Sequence, residues 1–472
     1  MVFSSTLFLF IYLPIVLIGY YILRGQAKNY WLLFVSLVFF GWSQPNYLWI
    51  ILLNIAINYT GAMLIDKIKS IRKITLLLTV IANLAILFYF KYFDFAIESV
   101  NQIFGTTFSL RDIVLPIGIS FFTFQGMSYV IDVYRKDVTA QKNIFKLGLY
   151  IVLFPQLIAG PIVRYKDIAQ EIDKRHVNVE DFYAGIEKFI IGLGKKAIIA
   201  NTMALTADAI WNNGVSQNTW IMSWVGSIAY TLQIYFDFSG YSDMAIGLGR
   251  MFGFHFNENF NLPYISKNIT EFWRRWHISL SSWFRDYVYI PLGGNRKNVY
   301  LNLAIVFLLT GVWHGAAWNF IVWGIWNGVF ILIERVIRMK NKKKEIQKKQ
   351  NRGIIFLQKL YTLMVVNLGW VLFRAPDLET AIDFMKSMFG IIHPEKVSYT
   401  IFWYLDKWTI TVMILAVIFA SSIPTWCCEV VKKNVNESGR MIGKYIILIA
   451  LFLFAVIRIV SGTYNPFIYF QF

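Results

Sequence analysis

The chain has 472 residues, 57% hydrophobic and only 15% charged, with a formal charge of +18 and a mean hydropathy of +0.53. An ordinary soluble domain carries about 25% charged residues, and so few charges cannot cover this much apolar surface in water. The apolar runs do not alternate, which excludes a transmembrane barrel. The dense basic run, Arg335 to Arg352, lies between two apolar spans, which excludes a basic nucleic-acid-binding domain.

What remains is an all-α polytopic membrane protein, with apolar runs near the length needed to cross about 30 Å of hydrocarbon. In chain order the candidate spans are roughly 5–23, 30–43, 46–65, 74–93, 113–133, 146–163, 184–210, 220–248, 299–318, 319–335, 356–373, 408–427 and 443–461. The first has no positive n-region and no small-residue cleavage site, so it reads as a retained helix. Segment 146–163 holds Pro155, Gly160 and Pro161 and reads as re-entrant. Lys/Arg clusters follow the first, third and fifth spans, and others precede the last spans. All fall on the cytoplasmic side if both termini are extracytoplasmic, giving about 11 crossings. The run 335–352 then reads as a loop touching anionic lipid.

There is no internal repeat and no separate soluble domain. One membrane domain, 1–472, divides into N-terminal helices 1–135, a central region 136–335, a basic cytoplasmic loop 336–355 and C-terminal helices 356–472. The segment 252–298 mixes aromatics with charges, and Trp273, Trp276, Trp283, Tyr287 and Tyr289 suit the headgroup layer.

His314, in LLTGVWHGAAWNFIVWG, is the ionisable group of a span that is otherwise apolar and rich in Trp. Such groups are costly at membrane depth and line functional paths, but a structural histidine bonded to a neighbouring helix fits equally well. Gly311 and Gly315 leave room beside it. Its neutral neighbours Thr310 and Asn319 leave the imidazole free to act as a base. His277, in WRRWHISLSSWF, follows Arg274 and Arg275. An interfacial histidine is the plainer reading, and the mouth of a tunnel with arginines gripping phosphates is the sharper one. Asp237 and Asp243 lie in an apolar helix but not on one face, so they either cap a break at Gly240 or orient a catalytic group. Tyr469, in the terminal YNPFIYFQF, is an interfacial anchor or an acyl acceptor. No three- or four-ligand metal motif is present, and Cys427 and Cys428 are adjacent, a spacing that rarely gives a disulfide.

WRRWHISLSSWFRDYVYIPLGGNR, TGVWHGAAWNFIVWG and the upstream YFDFSGYSDMAIGLGR resemble the membrane-bound O-acyltransferase family. PIGISFFTFQGMSYVIDVYR, FPQLIAGPIVRY and the YNPFIYFQF ending resemble its alginate O-acetyltransferase branch. The resemblance covers nearly the whole chain. It implies helices around a central tunnel, with re-entrant and interfacial helices and a catalytic core in 136–335. The family's main catalytic histidine falls on His314 and its second motif histidine on His277. The implied reaction moves an acetyl group from cytoplasmic acetyl-CoA to an extracellular or cell-wall polysaccharide, with no bound cofactor. The implied partner is an extracytoplasmic protein of the SGNH-hydrolase type. Tyr469 falls on a proposed acyl relay. Arg274, Arg275 and Arg285 are candidates to bind the donor, and Asp237, Asp243 and Asn319 to orient the catalytic groups. D-alanyl transfer to teichoic acid from a carrier protein, or non-enzymatic glycan transport, are the alternative readings.

Overall fold

The computed structural model describes residues 1–158, 160–341, 351–462, 464–466 and 468. Every regular element among them is helical. Six helices are long and apolar enough to cross a membrane, and a bent pair makes a seventh if counted as one span. The chain divides into two compact units, residues 1–189 with 241–258, and 190–240 with 259–468.

The first unit holds α1 (Phe8–Ile22), α2 (Ala27–Ser43), α3 (Pro45–Lys67), α4 (Arg72–Phe104), α5 (Ile119–Arg135), α6 (Ile144–Val152) and α7 (Tyr165–Asp173). Polar residues join α3 to α4: Asn54 donates to Asn83 Oδ1 at 2.8 Å, and Asn58 and Asn83 exchange bonds at 3.1 and 3.0 Å. All three are fully buried. In hydrocarbon such amides hold helices together because they find few other partners. Gly126 of α5 lies against Asn58, where a Cβ would collide with the amide. The segment expected to be re-entrant is broken as anticipated. The nine residues of α6 are followed by a four-residue turn of helix at Phe154–Leu157, and described residues 147–163 are buried in protein. Asn143 starts α6 by accepting from the Phe145 and Lys146 amides.

Two long helices, α8 (Val179–Asn212) and α9 (Trp220–Met251), contribute residues to both units. The second unit continues with α10 (Ile269–Arg275), α11 (Ile278–Phe284), α12 (Val299–His314), α13 (Trp318–Lys340), α14 (Arg352–Arg374) and α15 (Leu378–Met388). It ends with α16 (Lys407–Phe419), α17 (Ile423–Asn434) and α18 (Glu437–Ser461).

Three expectations change here. The span expected at 408–427 is two helices bent by 72°. Ser421 ends the first by donating to Ile418 O, and Pro424 sits in the first turn of the second. Of the two readings of Asp237 and Asp243, the cap of a break at Gly240 falls away, since α9 runs unbroken. Gly240 instead lets α9 approach the Gly192 carbonyl and Lys196 of α8, where a Cβ would clash. Third, four of the five aromatics assigned to the headgroup layer are inside the protein: Trp273, Trp276, Trp283 and Tyr287 are buried, and Tyr289 is half-buried. Trp276 packs on Phe260 at 5.0 Å and on Trp370 of α14 at 4.8 Å, so its ring meets protein rather than lipid.

Candidate active site

The site is built on α10. Its start is capped twice: Asn268 Oδ1 accepts from the Glu271 amide at 2.8 Å, and the Glu271 carboxylate accepts from the Lys267 amide at 3.0 Å. The remaining first-turn amides of Ile269 and Thr270 donate to Glu334 of α13 at 2.6 and 3.0 Å. The amides a helix start leaves open thus fasten α10 to α13.

After α10 the chain turns sharply. His277 takes left-handed angles (φ 43°, ψ 54°), a conformation that costs a non-glycine residue about 1–2 kcal/mol. Bonds to a neighbouring segment hold it there. Asn261 donates to Arg275 O and Ile278 donates to Asn259 O, each at 2.9 Å. Asn259 Oδ1 accepts from the Ser279 amide at 3.2 Å and from its hydroxyl at 2.9 Å.

That clamp fixes the state of the imidazole. A backbone N–H can only donate, so the Asn259 atom facing Ser279 is the oxygen. The same oxygen lies 3.2 Å from His277 Nδ1, which must therefore carry the proton. Nε2 keeps its lone pair, is buried, and has no hydrogen-bond partner among the described residues. Burial pushes the imidazole from 6.5 down to about 3. His277 is a neutral acceptor throughout the physiological range.

His314 is the last residue of α12, not the middle of a span, because Gly315 is extended (φ −161°, ψ 155°) and ends the helix. It is 4% exposed. Its ring is enclosed edge-on by Trp313 and Trp323 at 4.9 Å and by Phe373 at 5.2 Å, and the His277 ring lies 6.5 Å away. The room expected from the flanking glycines serves helix packing. Gly311 meets Gly324 of α13, and Gly315 meets the Phe320 ring, with no space for a Cβ at either position. Phe238 of α9 stands edge-on to His277 at 4.7 Å.

Residues of α10, α11, α12 and α13 line a cavity of about 480 Å³. Neither imidazole lines it, but Ile278, the residue after His277, does. Trp273, Phe307 and Ile331 form apolar walls, Arg274 and Arg285 line it, and so does Thr310, one helical turn before His314. Arg274 is exposed and makes no hydrogen bond or ion pair among the described residues. It also lines a second cavity of about 500 Å³, together with Arg338. Arg275 is committed elsewhere: its guanidinium grips Glu271 at 2.9 Å and Asn261 O at 3.1 Å. Arg285 holds Asp286 at 2.7 Å.

The remaining expected residues lie outside this cluster. The Asn319 amide donates to Leu372 O at 3.3 Å and Ala375 O at 2.8 Å, closing the end of α14. Asp243 is 3.5 Å from Lys188 in the first unit. Asp237 pairs with Lys196 at 2.6 Å, both nearly fully buried. Asp237 Oδ2 accepts from the Ile468 amide at 3.0 Å, and Lys196 donates to Pro466 O. Tyr469 lies outside the described residues. Its neighbour Ile468 is 3% exposed, so at that point the terminal segment is inside the protein.

Sequence reasoning missed Asn259, Lys196, Trp323 and Phe373. Lys196 alone had a signal, a lysine inside an apolar run that needed an acid in another apolar helix.

The membrane-bound O-acyltransferase family model matches residues 136–373, which contain both imidazoles. A probable alginate O-acetylase of Pseudomonas putida is 40% identical over the whole of both chains. Another, from Azotobacter vinelandii, is 44% identical over 83% of this chain and 78% of its own length. A peptidoglycan O-acetyltransferase of Helicobacter pylori is 37% identical over 83% of this chain and 80% of its own. With its several spans and a buried imidazole pair within the matched region, this multi-pass membrane protein is an O-acyltransferase, a member of the membrane-bound O-acyltransferase family.

Proposed function

We propose that the chain moves an acetyl group from cytoplasmic acetyl-CoA across the membrane for O-acetylation of an extracellular or cell-wall polysaccharide. The observation that carries this reading is the buried pair His314–His277, with ring centroids 6.5 Å apart, in the same unit as a cavity lined by Arg274 and by Ile278, the residue after His277. The names of the relatives support acetyl and a glycan as the transferred group and acceptor.

In the proposed reaction His314 takes the proton of the acceptor hydroxyl as its oxygen attacks the thioester carbonyl. The carbon–sulfur bond then breaks, and the thiolate leaves and takes up a proton. A base with pKa near the working pH is efficient in this role. At about 3, His277 is too weak a base to share it. Its open Nε2 instead accepts a hydrogen bond from a substrate hydroxyl and orients it. The aromatic cage keeps water from the thioester. Arg274, with Arg285 beside it, attracts the donor phosphates, and Arg275 acts by holding the turn. Asp237 acts indirectly, as an anchor of the terminal segment, and Asp243 and Asn319 as structural residues.

The fuller picture has about 11 crossings around a central tunnel and both termini extracytoplasmic, where an SGNH-hydrolase-like partner completes delivery to the polysaccharide. Tyr469 is the candidate relay, accepting acetyl on its oxygen before the glycan does. The test is to incubate purified protein with labelled acetyl-CoA and locate the label on protein or added glycan. Transfer that His314→Ala abolishes supports the reading. Full transfer by a folded His314→Ala protein refutes the base, and label that never leaves acetyl-CoA refutes the reaction. Unchanged acetylation in cells carrying Tyr469→Phe removes the relay.

A further inference from the structure

The first unit contains a cavity of about 620 Å³ at the ends of α1 and α7 and the start of α2. Arg24, Lys28, Lys174 and Arg175 line it. Among the described residues no carboxylate pairs with any of the four. Asp173 lies at the same cavity but is bound to Lys146 at 2.6 Å. Two of the cations share one ring: Lys28 Nζ lies 4.5 Å and the Arg175 guanidinium 5.5 Å from the Tyr20 centroid. Arg175 is fixed there, donating to Tyr20 Oη at 2.9 Å and Asn29 Oδ1 at 2.6 Å. Like charges gathered in a concave site repel one another unless an anion enters. Cations around an aromatic floor suit a phosphate, which takes charge-assisted bonds from guanidinium and ammonium together.

We infer that this cavity binds a phosphate-bearing anion, through Arg24, Lys28, Lys174 and Arg175. Its residues all belong to the first unit, whereas the imidazole pair belongs to the second, so the inference does not depend on the proposed reaction. The phosphate can be that of a lipid headgroup, since basic residues after the first span favour the cytoplasmic headgroup layer, or that of a soluble phosphate.

The test uses the full chain in nanodiscs, with an Arg24→Gln/Lys28→Gln/Lys174→Gln variant. Arg24 and Lys174 are exposed, and among the described residues none of the three side chains is hydrogen-bonded, so the variant spares the bonds that fix Arg175. Lys174→Gln alone serves as the milder variant. One arm uses phosphatidylcholine discs with and without phosphatidylglycerol and counts retained anionic lipid by native mass spectrometry. The other titrates pyrophosphate into phosphatidylcholine discs. Affinity in one arm should fall roughly fivefold per cation removed. Loss in the first arm identifies a lipid headgroup, and loss in the second a soluble phosphate. Equal binding by wild type and both variants, or binding in neither arm, overturns the inference.

Discussion

Lys196 with Asp237 and His277 with His314 are two buried polar pairs of the same unit, but their hydrogen-bonding capacities end differently. The first pair is closed: ammonium meets carboxylate at 2.6 Å, and the rest of its capacity goes to the Pro466 carbonyl and the Ile468 amide. In the second, Asn259 Oδ1 accepts a hydrogen bond from Nδ1–H of His277, and His277 Nε2 is left with a lone pair and no partner among the described residues. A closed buried pair specifies structure. A buried imidazole nitrogen without a partner, such as His277 Nε2, is costly to keep without a ligand. The comparison separates an anchor from a site, and each can be broken separately.

The largest effect should come from the histidine pair. His314→Ala should lower acetyl transfer by about 10²–10⁴-fold, the typical contribution of a general base, with an unfolding midpoint close to wild type. A midpoint that collapses with wild-type specific activity in the folded fraction would move His314 from chemistry to packing.

Breaking the closed pair should do the reverse. Lys196→Ala leaves the Asp237 charge buried without its cation, which costs about 3–5 kcal/mol. Thermal unfolding should register that loss. Replacing both residues, as Lys196→Met with Asp237→Leu, should recover much of it. No recovery in the double variant would show that the bonds to residues 466 and 468 matter more than the charge pair.

Periodicity and apolar length showed where most helices lie, but the sequence said little about what each side chain meets. The aromatics of 252–298 were legible as rings with a polar edge. Whether Trp276 meets lipid or Trp370 depends on an element almost a hundred residues away. In sequence, Gly240 fitted a helix break as well as an unbroken helix. Here it allows close approach to Gly192, a use visible only in three dimensions. His314 was legible as costly, and its motif assigned it a role. Its place at the end of α12 depends on the extended Gly315. Asn259 could not be found at all, since an asparagine in a loop of asparagines carries no mark of the imidazole it fixes.

The role of Asn259 can be sharpened through pH. Burial lowers the His277 imidazole from 6.5 to about 3. Below pH 6.5 the unfolded chain therefore takes up a proton that the folded chain refuses until about pH 3. The His277 contribution to stability is whole above pH 6.5 and is lost as pH falls through that window. Asn259→Asp keeps the shape and places a negative charge against Nδ1–H, raising the folded value by about 1–3 units. The acid limb of a stability–pH curve should then become shallower between pH 6.5 and 3. An unaltered limb would remove the hydrogen bond on which the tautomer assignment rests.

The smallest effect separates two adjacent arginines. Arg274 is exposed, lines both cavities beside α10 and has no partner among the described residues. Arg275 is bonded to Glu271 and Asn261 O. If free guanidinium attracts the donor, Arg274→Gln should raise KM for acetyl-CoA by about three- to tenfold, kcat should change little, and added salt should shrink the difference. Arg275→Gln loosens the turn that holds His277, so it should lower kcat and the unfolding midpoint and leave the salt dependence intact. Equal kinetic signatures from the two variants would mean that the donor phosphates do not distinguish these neighbours, and that the electrostatic entry to the cavity lies with another residue such as Arg338.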